Sequence, residues 1–183
     1  MDITFKVTTY GEFEQITPVL SKIRCRLFYK GKNRNGSYIT DEFAERLLSS
    51  LPYAPLKGIY SEEEQDFTDH GLENSEGRIY GVVPQDAEVR WEPHIDSDGV
   101  ERLYATCAVY VYTALYKEAN EIVGKSHSME LYRPSIRGEW IYAEGQKVFK
   151  FTDGMFFGLQ VLGDKVEPCF EGAAFFTLYN EML

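Results

Sequence analysis

Strand-like segments outnumber helical ones in this chain, which predicts an α+β, mostly β fold: an antiparallel β-barrel or sandwich flanked by helices. Two observations carry that expectation. Short apolar and aromatic runs recur between Gly- or Asp-containing turns, and only two stretches have the spacing of an amphipathic helix. A third sets the scale: 183 residues that are 44% hydrophobic and 15% aromatic can bury a core and suit one domain, residues 1–183.

Ile3, Phe5 and Val7 alternate with polar residues, the period-2 pattern of a half-buried strand. The segment KGKNRNGS, from Lys30 to Ser37, holds the Asn35-Gly36 turn signal and ends the preceding apolar piece. A helix should follow. Thr40 can cap it, Asp41 and Glu42 put negative charge in its first turn, and Phe43, Ala44, Leu47, Leu48 and Leu51 form one apolar stripe. From Tyr60 to Glu76 the chain is polar and acidic and reads as a long loop carrying Asp69-His70-Gly71. Loops of that length in compact domains are often functional.

Arg78 to Pro84 reads as a short strand, and Leu103 to Tyr112 as a long one apolar on both faces. Asp96-Ser97-Asp98-Gly99 between them is a turn. Thr113 to Val123 has Leu115, Ala119 and Ile122 on one helical face, with Gly124 at the C′ position. Lys125 to Tyr132 then alternates strictly: His127, Met129 and Leu131 share one strand face, and Ser126, Ser128 and Glu130 the other. Glu139 to Tyr142, Val148 to Phe151, Phe156 to Leu162 and Ala173 to Tyr179 complete the strands. No internal repeat or low-complexity linker interrupts them.

The formal net charge of -10 disfavours phosphate backbones and anionic membranes, so neither nucleic acid nor membrane is expected as a partner. Glu62, Glu63, Glu64 and Asp66 read as a solvated loop. Cys25, Cys107 and Cys169 are odd in number and widely spaced, which argues against a disulfide framework and fits a reducing cytosol. No apolar stretch approaches the roughly 20 residues that span a bilayer, and the N-terminus lacks a secretory pattern.

The three histidines are His70, His94 and His127. None pairs with another at H-x-x-x-H spacing, so no metal is expected, and nucleotide-binding glycine motifs are absent, so no cofactor is expected either. His127 should face the core as a satisfied structural residue, and His94 should be an exposed loop residue. What is left for chemistry is a serine on a strand, a histidine in an upstream loop and several acids. There is no G-x-S-x-G elbow.

The stretches SKIRCRLFYKGKNRNGSYIT, SLPYAPLKGIY, DFTDHG, GRIYGVVP, TALYKEANEIVGKSHSMEL and FFGLQVLGDKVEPCFEGAAF resemble prophage proteins of head-assembly gene clusters in Gram-positive bacteria. More remotely, the order of His-bearing loop, strands, helix, Gly and Ser-bearing strand resembles the tailed-phage prohead (capsid maturation) proteases. Those are similar in fold to the herpesvirus assemblin serine proteases. The resemblance implies a serine endopeptidase with Ser128 as nucleophile, Ser126 as the fallback, and His70 as general base. For the third member it leaves Asp153, Glu130 and Glu167, with Asp153 preferred from its position downstream of the serine. No histidine follows Ser128. Gly158-Leu159-Gln160-Val161-Leu162 also lacks the acid that the family carries on the corresponding strand.

Oxyanion donors would be backbone N–H groups or a basic side chain such as Lys165 or Arg133. The implied partners are scaffold and major capsid proteins, cut inside the immature capsid in the bacterial host cytoplasm. Self-association is allowed, as assemblins dimerise, and a helical scaffolding region is expected to follow Leu183. Two other readings stand beside the enzyme: a non-catalytic capsid scaffold or core protein that keeps the protease fold, and a small-ligand-binding β domain.

Overall fold

The computed structural model describes residues 13–73 and 75–177. The expected strand over Ile3, Phe5 and Val7 lies outside them, as does the end of the last expected strand at Tyr179. In chain order the strands are β1 (Glu14–Gln15), β2 (Ser21–Tyr29), β3 (Gly31–Lys32), β4 (Ser37–Ile39), β5 (Pro55–Gly58), β6 (Tyr60–Ser61), β7 (Asp66–Phe67) and β8 (Arg78–Val82). Then follow β9 (Arg90–Ile95), β10 (Glu101–Val111), β11 (Ser126–Leu131), β12 (Arg137–Ala143), β13 (Gln146–Asp153), β14 (Phe156–Leu162) and β15 (Phe175–Phe176). One α-helix, α1 (Asp41–Ser49), lies between β4 and β5. The fold is α+β and mostly β.

The main sheet runs in the order β1-β2-β10-β8-β5-β14-β11, with β9 also on β10 and β15 also on β2. A second sheet runs β12-β13-β4-β3, and β6 pairs with β7. The expected antiparallel barrel or sandwich is met with two qualifications. β14 pairs with β5 and β13 with β4 in parallel. The named strands of the main sheet follow an open path from β1 to β11, and only a short segment spans the gap. Arg26 N–H donates to Ala174 O on the β2 side, while His127 N–H donates to Ala173 O and Phe175 N–H to Lys125 O on the β11 side.

β2 and β10 form the longest ladder, with Cys107 opposite Cys25. Ile23, Cys25, Leu27, Phe28 and, on β10, Ala105, Cys107, Val109 and Val111 are buried. Such central strands cover both faces and so lack clean alternation. Gly81 on β8 is required where it sits, because a Cβ there would collide with the Tyr110 carbonyl of β10.

Helix α1 forms as its sequence predicts. The Thr40 hydroxyl accepts from Phe43 N–H at 3.1 Å, and Phe43, Ala44 and Leu47 are buried. Its end is tied to the main sheet: the Ser50 hydroxyl donates to Leu47 O at 2.7 Å and accepts from Phe156 N–H at 2.9 Å.

The second expected helix, Thr113 to Val123, is a correction. Only Lys117–Glu121 is helical there, and it is a 3-10 turn. Ala119 and Ile122 are buried and Tyr116 packs against the core. That spacing of three superimposes side chains in a 3-10 helix but not in an α-helix. The Asn120 side chain also takes the Thr113 carbonyl at 3.0 Å, competing with the backbone for it. The main body is therefore flanked by one α-helix among the described residues, not two.

Candidate active site

The acidic loop from Tyr60 onward contains the β6–β7 hairpin and is pinned to the main sheet. Lys125 reaches Asp66 at 2.7 Å and Asp164 at 3.0 Å. Gly163 lies against β7, where a Cβ would collide with the Phe67 carbonyl. The chain after β7 carries Asp69 and His70, and His70 N–H donates to the Asp69 carboxylate at 2.7 Å.

β11 lies antiparallel to β14, placing Ser128 opposite Gln160 and Glu130 opposite Gly158. The parallel β14–β5 pair puts Gln160 beside Lys57. Lys57, Gln160 and Ser128 therefore stand in one row across three strands, and Glu130 lies two residues along from Ser128 on the same face. This row is polar yet buried: Lys57 is 4% exposed, Gln160 1%, Ser128 8% and Glu130 8%. Gly158 leaves space for the lysine, since a Cβ there would sit 3.3 Å from Lys57 Cε.

Glu130 is the centre of the group. Its Oε2 is 2.7 Å from Lys57 Nζ and its Oε1 is 3.2 Å from His70 Nδ1. Burial alone would push the Glu130 carboxyl up, but the contacts from His70 and Lys57 outweigh it and hold the group below the ordinary carboxylate range. With Nδ1 on a carboxylate, the His70 ring is oriented and its Nε2 is the nitrogen left to take a proton. The His70 side chain is 37% exposed, so that nitrogen is within reach of solvent or substrate.

The structure thus brings His70 to Glu130, one of the three acids left open by the sequence. Asp153 ends β13 in the other sheet, opposite Arg137, and its carboxylate accepts from Gly154 N–H at 2.9 Å as a turn aspartate does. The Glu167 side chain is exposed, 3.7 Å from Arg34. Lys165 is exposed beside Glu64, and Arg133 is exposed in a 3-10 turn. Ser126 is bridged to Ala174. The Ser128 hydroxyl makes no hydrogen bond to His70 among the described residues.

Lys57 and Gln160 are absent from the sequence-based list. Lys57 follows Ala54-Pro55-Leu56 in an apolar run and signals only a strand; its partner is fixed by a parallel register that sequence spacing does not carry. His94 lies on β9, not in a loop, and is partly buried, with Nε2 3.8 Å from Asp96.

His127 faces the core as expected, 1% exposed and edge-on to Phe175 at 5.5 Å. It is not satisfied, however, since neither ring nitrogen has a hydrogen-bond partner among the described residues. Burial first, and then the charge of nearby His70, lower its pKa to about 3, so it is neutral at physiological pH.

A cavity of about 150 Å³ borders Ser128 and is walled by Asn33, His127, Met129, Phe151 and Phe170, among others. Ser128 is therefore buried but not sealed from any cleft. Burial pushes up the Cys169 thiol at the rim of this cavity.

No group of three or more metal-ligating side chains occurs among the described residues. No described helix is long and apolar enough to cross a membrane. The family model described as the YonD N-terminal domain matches residues 19–181. No curated protein and no solved structure gives a significant match.

Proposed function

The chain belongs to the YonD N-terminal domain family, a phage-associated family, and from that premise we propose that it is a serine endopeptidase of phage head maturation. The observation that carries this is the buried Glu130 on Nδ1 of His70, with Ser128 two residues from Glu130 on the same strand face. A serine hydroxyl attacks an amide well only when a base removes its proton. His70 Nε2 would accept that proton and deliver it to the leaving amine. Glu130, in place of the expected Asp153, would fix the tautomer and offset the imidazolium charge.

The acyl group passes from the peptide nitrogen to Ser128 Oγ and then to water, so one peptide bond is hydrolysed per cycle. In this resting geometry the serine and histidine are not joined. Apo sites are often loose and tighten on substrate, and His70 sits on a loop that can supply the movement.

The substrates follow from the resemblance to prohead proteases: scaffold and major capsid proteins, cut inside the immature capsid in the host cytoplasm. The net charge of -10 is unfavourable to a DNA-binding role. A second reading, a head scaffold or core protein without activity, is favoured by the depth of Ser128 and by the ion pair that Lys57 makes with the acid.

Co-expression with the cognate capsid protein decides between them. Intact masses after assembly should show processing with wild type and with Ser126→Ala, and none with Ser128→Ala or His70→Ala. Removing the nucleophile or base of a serine protease typically costs about a million-fold in turnover. Processing by Ser128→Ala at the wild-type rate would reject the assignment, and no processing by any of the four would favour the scaffold.

A further inference from the structure

The chain carries a net charge of -10, yet one of its grooves is rimmed with cations. This groove, of about 670 Å³, lies between β3 and the β12–β13 turn of the second sheet and the β9–β10 hairpin of the main sheet. It shares only Asn33 with the cavity beside Ser128. Lys30, Lys32, Arg34 and Arg102 line it against two carboxylates, Glu144 and Glu171.

Arg102 is already engaged, donating to Asp96 at 2.6 Å and to Asp98 at 2.8 Å. The other three are less committed. Lys32 is half-buried and pairs with no carboxylate among the described residues. Arg34 donates to Pro168 O but stands 3.7 Å from both Glu167 and Glu171, beyond hydrogen-bond reach. Lys30 meets Asp41, whose side chain is 82% exposed, and holds its ammonium 4.7 Å from the centre of the Trp91 ring.

The floor is apolar and continues past the cations. Trp91 and Leu103 line the groove, and the β9–β10 register puts Trp91, Pro93, Ile95 and Leu103 on one face of that hairpin. Leu103 is 54% exposed and Ile95 65%, and Pro93, opposite Leu103, is exposed as well.

Cations beside exposed apolar side chains select a ligand with both chemistries. An extended peptide that alternates acidic and apolar residues turns its two kinds of side chain to opposite sides, one toward the cations and the other toward Trp91 and Leu103. A polyphosphate has no apolar face, and Glu144, Glu171 and the overall charge oppose so dense an anion. The chain's own exposed acidic turn, Glu62-Glu63-Glu64, lacks the apolar half, and two bodies of charge -10 repel, which favours a different protein over a second copy.

We propose that this groove docks an acidic, partly apolar peptide segment of a partner protein. The assignment does not depend on Ser128 being a nucleophile.

The test uses the full chain with Trp140→Phe, an exposed position, which leaves Trp91 as its one tryptophan. The probes at pH 7 are a capped octapeptide of alternating Glu and Leu, its Lys-Leu counterpart and inorganic polyphosphate. Trp91 emission should change saturably with the Glu-Leu peptide, and the apparent Kd should rise several-fold as salt is raised from about 50 to about 300 mM. Lys32→Glu and Leu103→Ser should each weaken binding several-fold. The Lys-Leu peptide should not saturate, and Ser128→Ala should leave the Kd unchanged.

No saturable change, an equal response to the Lys-Leu peptide, tighter binding of polyphosphate, or a Kd unaltered in both Lys32→Glu and Leu103→Ser overturns the proposal. Sedimentation velocity of the peptide-free chain covers the other occupant. A monomer supports the partner peptide, whereas a dimer that Lys32→Glu dissolves gives the groove to a second copy and overturns it.

Discussion

Glu130 sits where two opposite demands meet. A carboxylate this buried is expensive unless paired, and Lys57 and His70 supply the pairing. Breaking a buried ion pair by removing one partner typically costs about 3–5 kcal/mol, because the other charge is left in the interior. Glu130→Ala should therefore lower unfolding free energy by about that much in urea titrations, whereas Ser128→Ala, which removes one oxygen that has no hydrogen-bond partner among the described residues, should stay within about 1 kcal/mol.

The pH dependence has a definite sign. Because the folded-state pKa of Glu130 is depressed, its stabilisation is complete above the unfolded value of about 4.3 and is lost as pH falls through the lower folded value. The difference between wild type and Glu130→Ala should accordingly shrink in acid. Equal stability of the two proteins at pH 7 would contradict the pairing. Of these residues, Ser128 and Glu130 are legible as one strand face from alternation alone. Which of Glu130, Asp153 and Glu167 meets His70 is not, because that depends on where a loop folds back over the sheet.

At the scale of elements, the helix that formed and the helix that did not are separated by their local signals. α1 has a cap, acidic first-turn residues and a stripe with spacings of three and four, all pointing the same way. Thr40→Ala removes the hydroxyl that satisfies Phe43 N–H and should cost about 1 kcal/mol, read as a lower denaturant midpoint with an unchanged slope; no change would remove the cap from the account. Thr113 to Val123 lacks a side-chain cap, and its buried positions suit a 3-10 turn equally well. The strands were easier, since β11 and β14 fall close to their expected limits and β10 begins two residues sooner. Their pairing was not legible: the β5–β14 contact that brings Lys57 to the site is parallel and long-range, and no turn residue announces it.

Over the whole molecule, the segment before β15 ties the ends of the main sheet and is itself anchored by a buried polar network. Asp96 accepts from Arg102 at 2.6 Å and from Tyr104 at 2.9 Å, Tyr104 accepts from Gly172 N–H at 2.7 Å, and Tyr29 donates to Glu171 at 2.7 Å. Cys169 and Phe170, which wall the cavity, immediately precede these anchors. These anchors thus fix the segment that borders the cavity and the edge of β11, while His70 comes from a more exposed loop. A mostly β class was legible from composition and turns; how the two sheets and the bridging segment assemble was not, since it depends on contacts far apart in sequence.

The central claim is that Ser128 is a nucleophile activated by His70 on Glu130. A fluorophosphonate probe reports that directly, because it forms a stable covalent adduct with an activated serine and does not need the natural substrate. Peptide mapping of the labelled chain should find one adduct, on Ser128, absent in Ser128→Ala and strongly reduced in His70→Ala and Glu130→Gln. An unlabelled Ser128 in the folded wild-type protein, or labelling of Ser128 that is undiminished without His70, would contradict the account.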